Sequence, residues 1–312
     1  MKRSLLLPSI VILYLFTAGC SVRTFAINKI GDSIASSGTT FASDDDLQLI
    51  RDAVPFSLKL MESLLAETPR HRGLLLAASR AFTQYAYAFV QQDADEMEER
   101  DLAAANLLHD RARRLYLRAR GYALRGLEVK YPDFEKALRQ NPIAAAAKVR
   151  SAAEVPLLYW TAASWGAAIA ISKDDPDLIA DQPVVEALID RALLLDEKFE
   201  SGAIHGFLIS YEPVRQGAKE DPASRSQKHF ERELELTEGK LISPLVSFAE
   251  TISISKQDRA QFELLLKRAL DIDPGIKPEW KLENLVMQRR ARWLLSRMNQ
   301  LFVEEDDRVE RN

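Results

Sequence analysis

Histidine, cysteine and glycine-rich motifs, which build most catalytic and metal sites, are sparse in this sequence of 312 residues. The single cysteine excludes an intramolecular disulfide and a thiolate metal site. No glycine-rich phosphate loop occurs, and no histidine lies at helical spacing from another histidine. The four histidines are His71, His109, His205 and His229. We therefore predict a protein that is not an enzyme and that needs no metal and no cofactor.

Two other kinds of polar motif could belong to a catalytic or metal site, but a structural role explains each of them better. Residues 31–34 (Gly-Asp-Ser-Ile) are similar to the nucleophile block of GDSL-type esterases. That family also needs an Asp-x-x-His block, and no histidine here has an aspartate three positions before it. The acidic clusters at residues 44–46 and 304–307 could attract a hard cation. A helix cap and a solvated tail explain these two clusters better.

Aromatic side chains are concentrated in two segments, residues 82–89 and 158–166. Each segment places rings on several faces of one helix, so a single neighbouring helix cannot cover them all. Two interpretations stay open: either these helices are buried centrally, or they form an exposed groove or a subunit interface. The second interpretation predicts a cleft or pore that binds an apolar or amphipathic ligand, or a partner. Its predicted lining residues are Tyr85, Tyr87, Phe89, Tyr159, Trp160 and Trp165.

The only cysteine, Cys20, follows a short apolar segment near the N-terminus. Two basic residues precede residues 5–16, which are too few to cross a bilayer comfortably but suit a signal peptide. The small residues before Cys20 resemble a bacterial lipoprotein signal, although Thr17 stands where that signal usually has Leu. The resemblance implies cleavage of residues 1–19 and lipidation of Cys20, and Ser21 favours sorting to the outer membrane. A buried free cysteine is the alternative.

The balance of acidic and basic residues bears on the kinds of partner and on how the chain is held at a membrane. Lys plus Arg number 42 against 46 Asp plus Glu, a net charge of −4, so we predict no nucleic-acid partner. Without a basic excess, lipid rather than charge must hold the mature chain at a membrane. After the signal peptide we expect a lipidated tether (20–46), a helical repeat domain (47–303) and an acidic tail (304–312).

Apolar residues recur at helical spacing along most of the chain, and Gly and Pro number only 12 and 13. Positions 47, 50, 54, 58, 61 and 65 form one stripe, which predicts a helix that closes at Thr68-Pro69. Residues 93–101 are expected to form an acidic break or a solvated first turn. No long segment alternates apolar and polar residues, so no strand is predicted.

Three helix ends share a sequence pattern. Residues 191–196, 232–237 and 268–273 align without gaps, at spacings of 41 and 36 residues. This period and an Ala-Leu-x-apolar-Asp-Pro ending, complete only at 269–274, resemble tetratricopeptide (TPR) repeats. The predicted fold class is all-α, a degenerate TPR-like α-α superhelix of helix hairpins. A non-repetitive helical bundle is the alternative.

Longer segments resemble one family. The two aromatic segments, residues 115–127, residues 205–207 and residues 41–69 together look like the TRAP-transporter-associated TPR lipoproteins, the TatT family. The resemblance implies a periplasm-facing lipoprotein, anchored in the outer membrane, that pairs with a TRAP-type periplasmic substrate-binding protein. It also implies homotrimers with a pore through each subunit that guides a hydrophobic or organic-acid ligand, and it offers no catalytic residues. A TPR scaffold lipoprotein for envelope or outer-membrane assembly, without a transported ligand, is the alternative.

Overall fold

The computed structural model describes residues 28–29, 31–33 and 38–303. The structure is 78% helical and the described residues contain no strand, which confirms the predicted all-α class. In chain order the α-helices are α1 Gly38–Ala42, α2 Leu47–Glu67, α3 Arg72–Tyr85, α4 Gln92–Met97, α5 Leu102–Glu128, α6 Phe134–Gln140, α7 Pro142–Ala147, α8 Val155–Ala170, α9 Pro176–Ile179, α10 Gln182–Leu195, α11 Ala203–Tyr211, α12 Pro222–Leu236, α13 Ser243–Phe248, α14 Arg259–Asp271, α15 Lys281–Ser296 and α16 Met298–Leu301.

Shorter helical turns join several of these elements. Two π-helices, Ala86–Gln91 and Ala249–Ser253, follow α3 and α13. The 3₁₀ turns are Ala152–Glu154, Phe199–Ser201, Glu212–Val214 and Pro278–Trp280. A π-helix inserts one extra residue into a helical turn and is often found at functional sites.

Helix boundaries follow from local capping chemistry. Before α2, the Asp46 carboxylate accepts hydrogen bonds from the amides of Gln48 (3.0 Å) and Leu49 (2.9 Å), which satisfies two donors of the first turn. Proline occupies the first turn of α7, α8, α9, α10, α12 and α13, where its missing N–H is not needed. The end of α2 at Glu67 agrees with the predicted close at Thr68-Pro69.

Two hydrophobic clusters form the core. The larger one is built mainly by α2 to α11, and the smaller one by helices from α11 to the C-terminal end of the described chain. Trp165 and Tyr116 are the largest side chains with no exposed surface, and both belong to the larger cluster. Tyr87 packs against both clusters, so it lies where the two halves of the molecule meet.

The two ends of the helical array meet, because α15 packs against α2 and pairs with residues of α4. Arg289 donates to the carboxylates of Asp93 (2.7 Å) and Glu96 (2.8 Å). Arg290 donates to Asp95 at 2.6 Å. We call these contacts the seam, and the seam closes the helical array on itself.

The seam corrects the expectation for residues 93–101. The helix continues through α4 to Met97, and the turn comes only at residues 98–101. The carboxylates of Asp93, Asp95 and Glu96 are paired with arginines of α15 rather than left to solvent. These acidic residues, which the sequence suggested were exposed to solvent, therefore form a contact between distant parts of the chain.

The three aligned segments lie at the ends of α10, α12 and α14. Ala192 and Ala269 occupy the same position of the pattern and are fully buried. The equivalent position in the middle segment is Glu233, which is also buried, at 2% exposure. The all-α class is established, whereas a TPR-like superhelix stays a prediction.

Part of the predicted tether contacts the helical domain. A ring nitrogen of His71 lies 3.2 Å from the Asn28 carbonyl oxygen. Lys281 of α15 donates to the Asp45 carboxylate at 2.5 Å. The domain boundary at residue 46 stays a prediction, and Cys20, the signal peptide and the tail at 304–312 lie outside the described residues.

Candidate ligand-binding recess

One face of α3 carries polar side chains although the rest of the helix is core. Arg80 and Gln84 are exposed, whereas Leu75 and Phe82 are buried. The Arg80 guanidinium lies 3.1 Å from the Glu200 carboxylate. It also lies 5.7 Å from the centroid of the Trp160 ring. This face of α3 therefore points toward other helices of the array, and not away from the protein.

Aromatic rings form a wall beside Arg80. The rings of Tyr159 and Trp160 on α8 meet edge to face, with their centroids 5.0 Å apart. Tyr159 also contacts Phe199, at 5.3 Å between centroids. Tyr159 is half-buried and Trp160 is buried. Such a wall can hold an apolar group and can attract a cation to the ring faces.

Glu200 reaches Arg80 through an unusual backbone. Glu200 has φ 44° and Ser201 has φ 60°, and Gly202 follows at φ 103°. Left-handed backbone costs a non-glycine residue roughly 1–2 kcal/mol. The turn after α10 contains two successive non-glycine residues, Glu200 and Ser201, with left-handed backbone. This backbone places the Glu200 carboxylate against Arg80.

Glu283 of α15 supplies a second carboxylate near Glu200. It accepts a hydrogen bond from the Ser243 hydroxyl at 2.8 Å. Although its side chain is exposed to water, burial raises the pKa of the Glu283 carboxyl, and the charge of Glu200 raises this pKa further. Burial likewise raises the pKa of Glu200, whose side chain is one-third exposed (33%).

Burial disfavours the charge of Glu200 and Glu283 although water reaches both carboxylates. A carboxylate on the outer surface behaves differently: the Lys267 ammonium 2.6 Å away holds the pKa of Glu263 below its usual value. Glu200 and Glu283 are reached by water and yet are surrounded by enough protein to disfavour their charge. We call the site formed by the contacting residues Arg80, Tyr159, Trp160 and Glu200 the inner recess.

A third carboxyl group with a raised pKa is that of Glu233 on α12, which is buried. It packs against Gly206 of α11, where an added Cβ would be 2.8 and 3.0 Å from the two carboxyl oxygens. Its Oε2 atom is buried and has no hydrogen-bond partner among the described residues. Burial raises the pKa of Glu233 well above its usual value, and the charge of Glu283 contributes. Burial also raises the pKa of the Tyr159 hydroxyl in the aromatic wall.

The structure brings two of the six predicted aromatic residues, Tyr159 and Trp160, to the inner recess. Tyr87 lies at the seam, where its hydroxyl donates to the Met287 sulfur at 3.6 Å. Burial raises the pKa of Tyr87 to about 12. A ligand entering between the two core clusters would meet Tyr87, because its ring contacts both of them.

Tyr85 and Phe89 pack on each other, with ring centroids 5.7 Å apart, and both are buried. Phe89 also borders an open cleft of about 200 Å³ on the seam, between Arg51 and Arg289. The Arg51 guanidinium lies 5.3 Å from the Phe89 ring centroid. This cleft is separate from the inner recess in its lining residues and is smaller than most ligand pockets.

Trp165 is enclosed, with no exposed surface. The guanidinium of Arg120 lies 4.5 Å from its ring centroid and that of Arg139 lies 5.6 Å away. The indole N–H is buried and has no hydrogen-bond partner within the described part of the chain. A ligand could reach this ring only after neighbouring helices move. A binding role for all six aromatic residues stays a prediction.

Sequence reasoning missed the charged residues of the recess, Arg80 and Glu200, and the carboxyls of Glu233 and Glu283. Arg80, Glu200 and Glu283 are single charged residues at helix or turn positions, and such residues are usually solvated. Glu233 did leave a signal, because it interrupts the repeat pattern at a position that is Ala in the other two segments.

The described residues show neither a metal-binding cluster nor a membrane-spanning helix. Across the described ranges, no group of three or more His, Cys, Asp or Glu side chains is arranged to hold a metal ion. In the same part of the chain, no helix is both long enough and apolar enough to span a bilayer.

Comparison with known proteins identifies the family. A family profile described as TRAP transporter T-component matches residues 43–302, which include every helix from α2 to α16. The chain belongs to the TRAP transporter T-component family. An uncharacterized protein of Treponema pallidum (strain Nichols) is 30% identical to this T-component over 310 residues, covering 93% of this chain and 95% of that protein.

Family membership establishes the functional context. The T-component is associated with a TRAP transport system. Its family is transport-associated and is not a known enzyme family. The predicted family is therefore confirmed, whereas the partner, the ligand and the membrane anchor stay predictions.

Proposed function

We propose that this T-component is a non-enzymatic, periplasm-facing lipoprotein that binds a TRAP-type substrate-binding protein and takes a small ligand into the inner recess. The observation that carries the proposal is the family match over residues 43–302. A T-component must contact other parts of its transport system, and helical arrays of this kind bind partners by shape and side-chain pockets.

The inner recess supports the ligand part of the proposal. Its wall of Tyr159, Trp160 and Phe199 offers apolar ring surface, and Arg80 and Glu200 offer polar contacts at the same place. Small-molecule sites typically combine such an apolar lining with a few convergent polar groups. The ligand is accordingly a small molecule with an apolar body and a polar end.

Lipid attachment at Cys20 would hold the T-component at the membrane, in the outer membrane if Ser21 directs sorting as expected. Confinement to one compartment raises the effective concentration of a partner in the same compartment. A Cys20→Ser variant should move from the membrane fraction to the soluble periplasmic fraction.

Self-association into a homotrimer is part of the proposal. On α2, Leu49 (55% exposed), Phe56 (73%) and Leu60 (39%) lie on one helical stripe. An exposed apolar stripe on a helix favours burial against another chain. A second copy of the T-component is the occupant that the family resemblance implies.

Affinity capture from envelope extracts tests the partner. The full chain with a C-terminal tag, expressed in its own organism, is expected to recover a TRAP-type substrate-binding protein. Recovery of outer-membrane assembly factors in its place would support the scaffold alternative. Capture with the Cys20→Ser variant distinguishes direct binding from co-residence in the same membrane fragments.

A further inference from the structure

One face of α5 carries a row of arginines. Six positions of this helix follow the alternating four- and three-residue spacing of a single helical stripe. They are Leu107, Arg111, Arg114, Arg118, Gly121 and Arg125. Leu107 is 70% exposed and the four arginines are exposed. Nothing lies within 4 Å of a Cβ added at Gly121, so this face of the helix is open. We call it the arginine stripe.

The described chain neutralises the arginine stripe only in part. Arg118 is paired with the Glu62 carboxylate of α2, and Arg125 donates to a backbone carbonyl oxygen at 3.1 Å. Arg111 and Arg114 make no ion pair and no side-chain hydrogen bond with any other described residue. Two guanidinium groups about one helical turn apart therefore carry uncompensated positive charge, in a chain whose net charge is −4.

The carboxylates beside the arginine stripe have another partner. Asp110 precedes Arg111 on the same helix, but it is paired with Arg113 at 3.2 Å. Arg113 also lies 3.9 Å from the Asp175 carboxylate, on the side of α5 away from the stripe. The charges of Arg111 and Arg114 are thus available to a second molecule.

The residue type and the length of the arginine stripe suit a protein partner that presents carboxylates. Helix α5 contains six arginines and no lysine. A guanidinium group can bind a carboxylate through two parallel hydrogen bonds, and arginine is enriched in protein interfaces whereas lysine is depleted. From Arg111 to Arg125 the stripe extends about 21 Å along the helix, which fits within one protein interface of ordinary size.

A bilayer surface fits the arginine stripe less well. A helix that lies in a membrane interface carries Trp, Phe or Leu along an apolar face next to its basic residues. The large apolar side chain on this stripe is Leu107, at its N-terminal end. An anionic bilayer would also repel the rest of the chain, because the net charge is negative.

We propose that the arginine stripe is the surface on which the T-component docks a partner protein, and that the partner presents a row of carboxylates there. This inference rests on the proposed partner-binding function and names the docking surface and the charge of the partner. Arg111 and Arg114 contribute most, because they have no partner to give up within the described chain. Exposed charges of this kind act mainly by accelerating association.

The double variant Arg111→Gln/Arg114→Gln tests the inference, since glutamine keeps the helix propensity of α5. Biolayer interferometry would follow binding of the TRAP-type substrate-binding protein of the same organism to the immobilised full chain. At low salt, we expect the double variant to associate about tenfold more slowly than the wild type, with a similar dissociation rate. Raising NaCl from about 50 mM to about 500 mM should slow the wild type to a similar extent.

The matched control is Lys148→Gln/Arg150→Gln. These two exposed cations follow α7, and neither makes an ion pair with another described residue. The control removes the same charge from another place and should associate like the wild type.

The outcomes distinguish this inference from the proposed function. If the binding protein associates equally fast with the double variant and the wild type, or independently of salt, the inference is overturned and the proposed function stands. If it does not bind the wild type, both fail. A changed sedimentation coefficient of the double variant would assign the stripe to a contact between copies and overturn the inference. So would loss of binding to vesicles of equal parts phosphatidylglycerol and phosphatidylcholine with partner association unchanged, which would assign the stripe to the membrane.

Discussion

Trp165 was predicted to line a binding site, but in the structure it lies in the hydrophobic core. Its indole ring is fully enclosed, with Arg120 and Arg139 on its ring faces or edges at 4.5 and 5.6 Å. Trp293 on α15 is a natural comparison, because it also lies near two arginines, Arg290 and Arg297, but is only half-buried.

Trp165→Ala is expected to lower the free energy of unfolding by about 3–5 kcal/mol, because it removes the largest fully buried side chain and leaves a cavity. Trp293→Ala should cost clearly less. Urea unfolding followed by circular dichroism measures both variants. A Trp165→Ala protein that keeps its stability but loses ligand binding would show that the ring acts in a site rather than in the core.

His205 and His229 form a second residue-scale feature that sequence alone did not reveal. Their Nδ1 atoms are 2.8 Å apart, so one ring donates a hydrogen bond to the other. Burial lowers the pKa of His205, and burial together with the His205 charge lowers the pKa of His229 to about 4. Both rings are therefore neutral at neutral pH.

The His205–His229 pair predicts a loss of stability in mild acid. The unfolded chain binds protons on these rings near pH 6.5, whereas folded His229 does so only near pH 4. Stability is therefore fully present above about pH 6.5 and falls as the pH drops from there toward 4. His229→Asn, which cannot titrate in this range, should show a flatter dependence of Tm between pH 7 and pH 4.5. If Tm depended on pH in the same way in the variant and the wild type, the loss of stability in acid could not be attributed to His229.

At the scale of elements, the contact between α11 and α12 depends on a glycine. Gly206 leaves room for the Glu233 carboxyl, and a Cβ there would be 2.8 Å from one of its oxygens. Gly121 in α5 is a matched case without the contact, since nothing lies within 4 Å of an added Cβ. Substituting alanine at Gly121 and at Gly206 therefore distinguishes the effect of helix propensity on stability from the effect of packing.

Gly206→Ala is expected to destabilise the fold by at most about 1 kcal/mol, because the added methyl group meets only the carboxyl end of the Glu233 side chain, which must move to make room. Gly121→Ala should stabilise it by about 0.5–1 kcal/mol through helix propensity. In a Glu233→Ala background the cost of Gly206→Ala should disappear, and a double-mutant cycle from thermal unfolding measures this coupling. Additive effects would show that Gly206 does not serve Glu233.

Sequence patterns predicted the helices well where one face is apolar. The stripe along α2 placed Leu58, Met61 and Leu65 in the core, and all three are buried. No helix was predicted for the two short helices α6 and α7, because their segment has no clear apolar stripe. Asn141 does cap α7, by accepting from the Ala144 amide at 3.0 Å.

At the scale of the whole molecule, the seam determines whether the array is closed. Arg290 is its most buried cation, with a side chain 9% exposed, and it pairs with Asp95 and with Glu250 of the second π-helix. Sequence could not predict these contacts, because Arg290 and Asp95 are 195 positions apart. The recess was missed for the same reason, since Arg80 and Glu200 are far apart in sequence and meet only in the folded chain.

Arg290→Gln is expected to lower the free energy of unfolding by about 3–5 kcal/mol, because it leaves two partly buried carboxylates without their cation. Lys267→Gln removes an exposed partner of Glu263 and should leave stability unchanged within error. Chemical denaturation of both variants makes the comparison. A small effect for Arg290→Gln would mean that the seam does not hold the fold closed.

The central claim is that this T-component works by binding another protein of a TRAP transport system. Calorimetric titration of the purified full chain with the TRAP-type substrate-binding protein of the same organism tests that claim most directly. We predict saturable binding, with one binding protein per T-component chain and a Kd of about 1 μM or tighter. Absence of binding at about 100 μM, with both proteins folded, would contradict the claim.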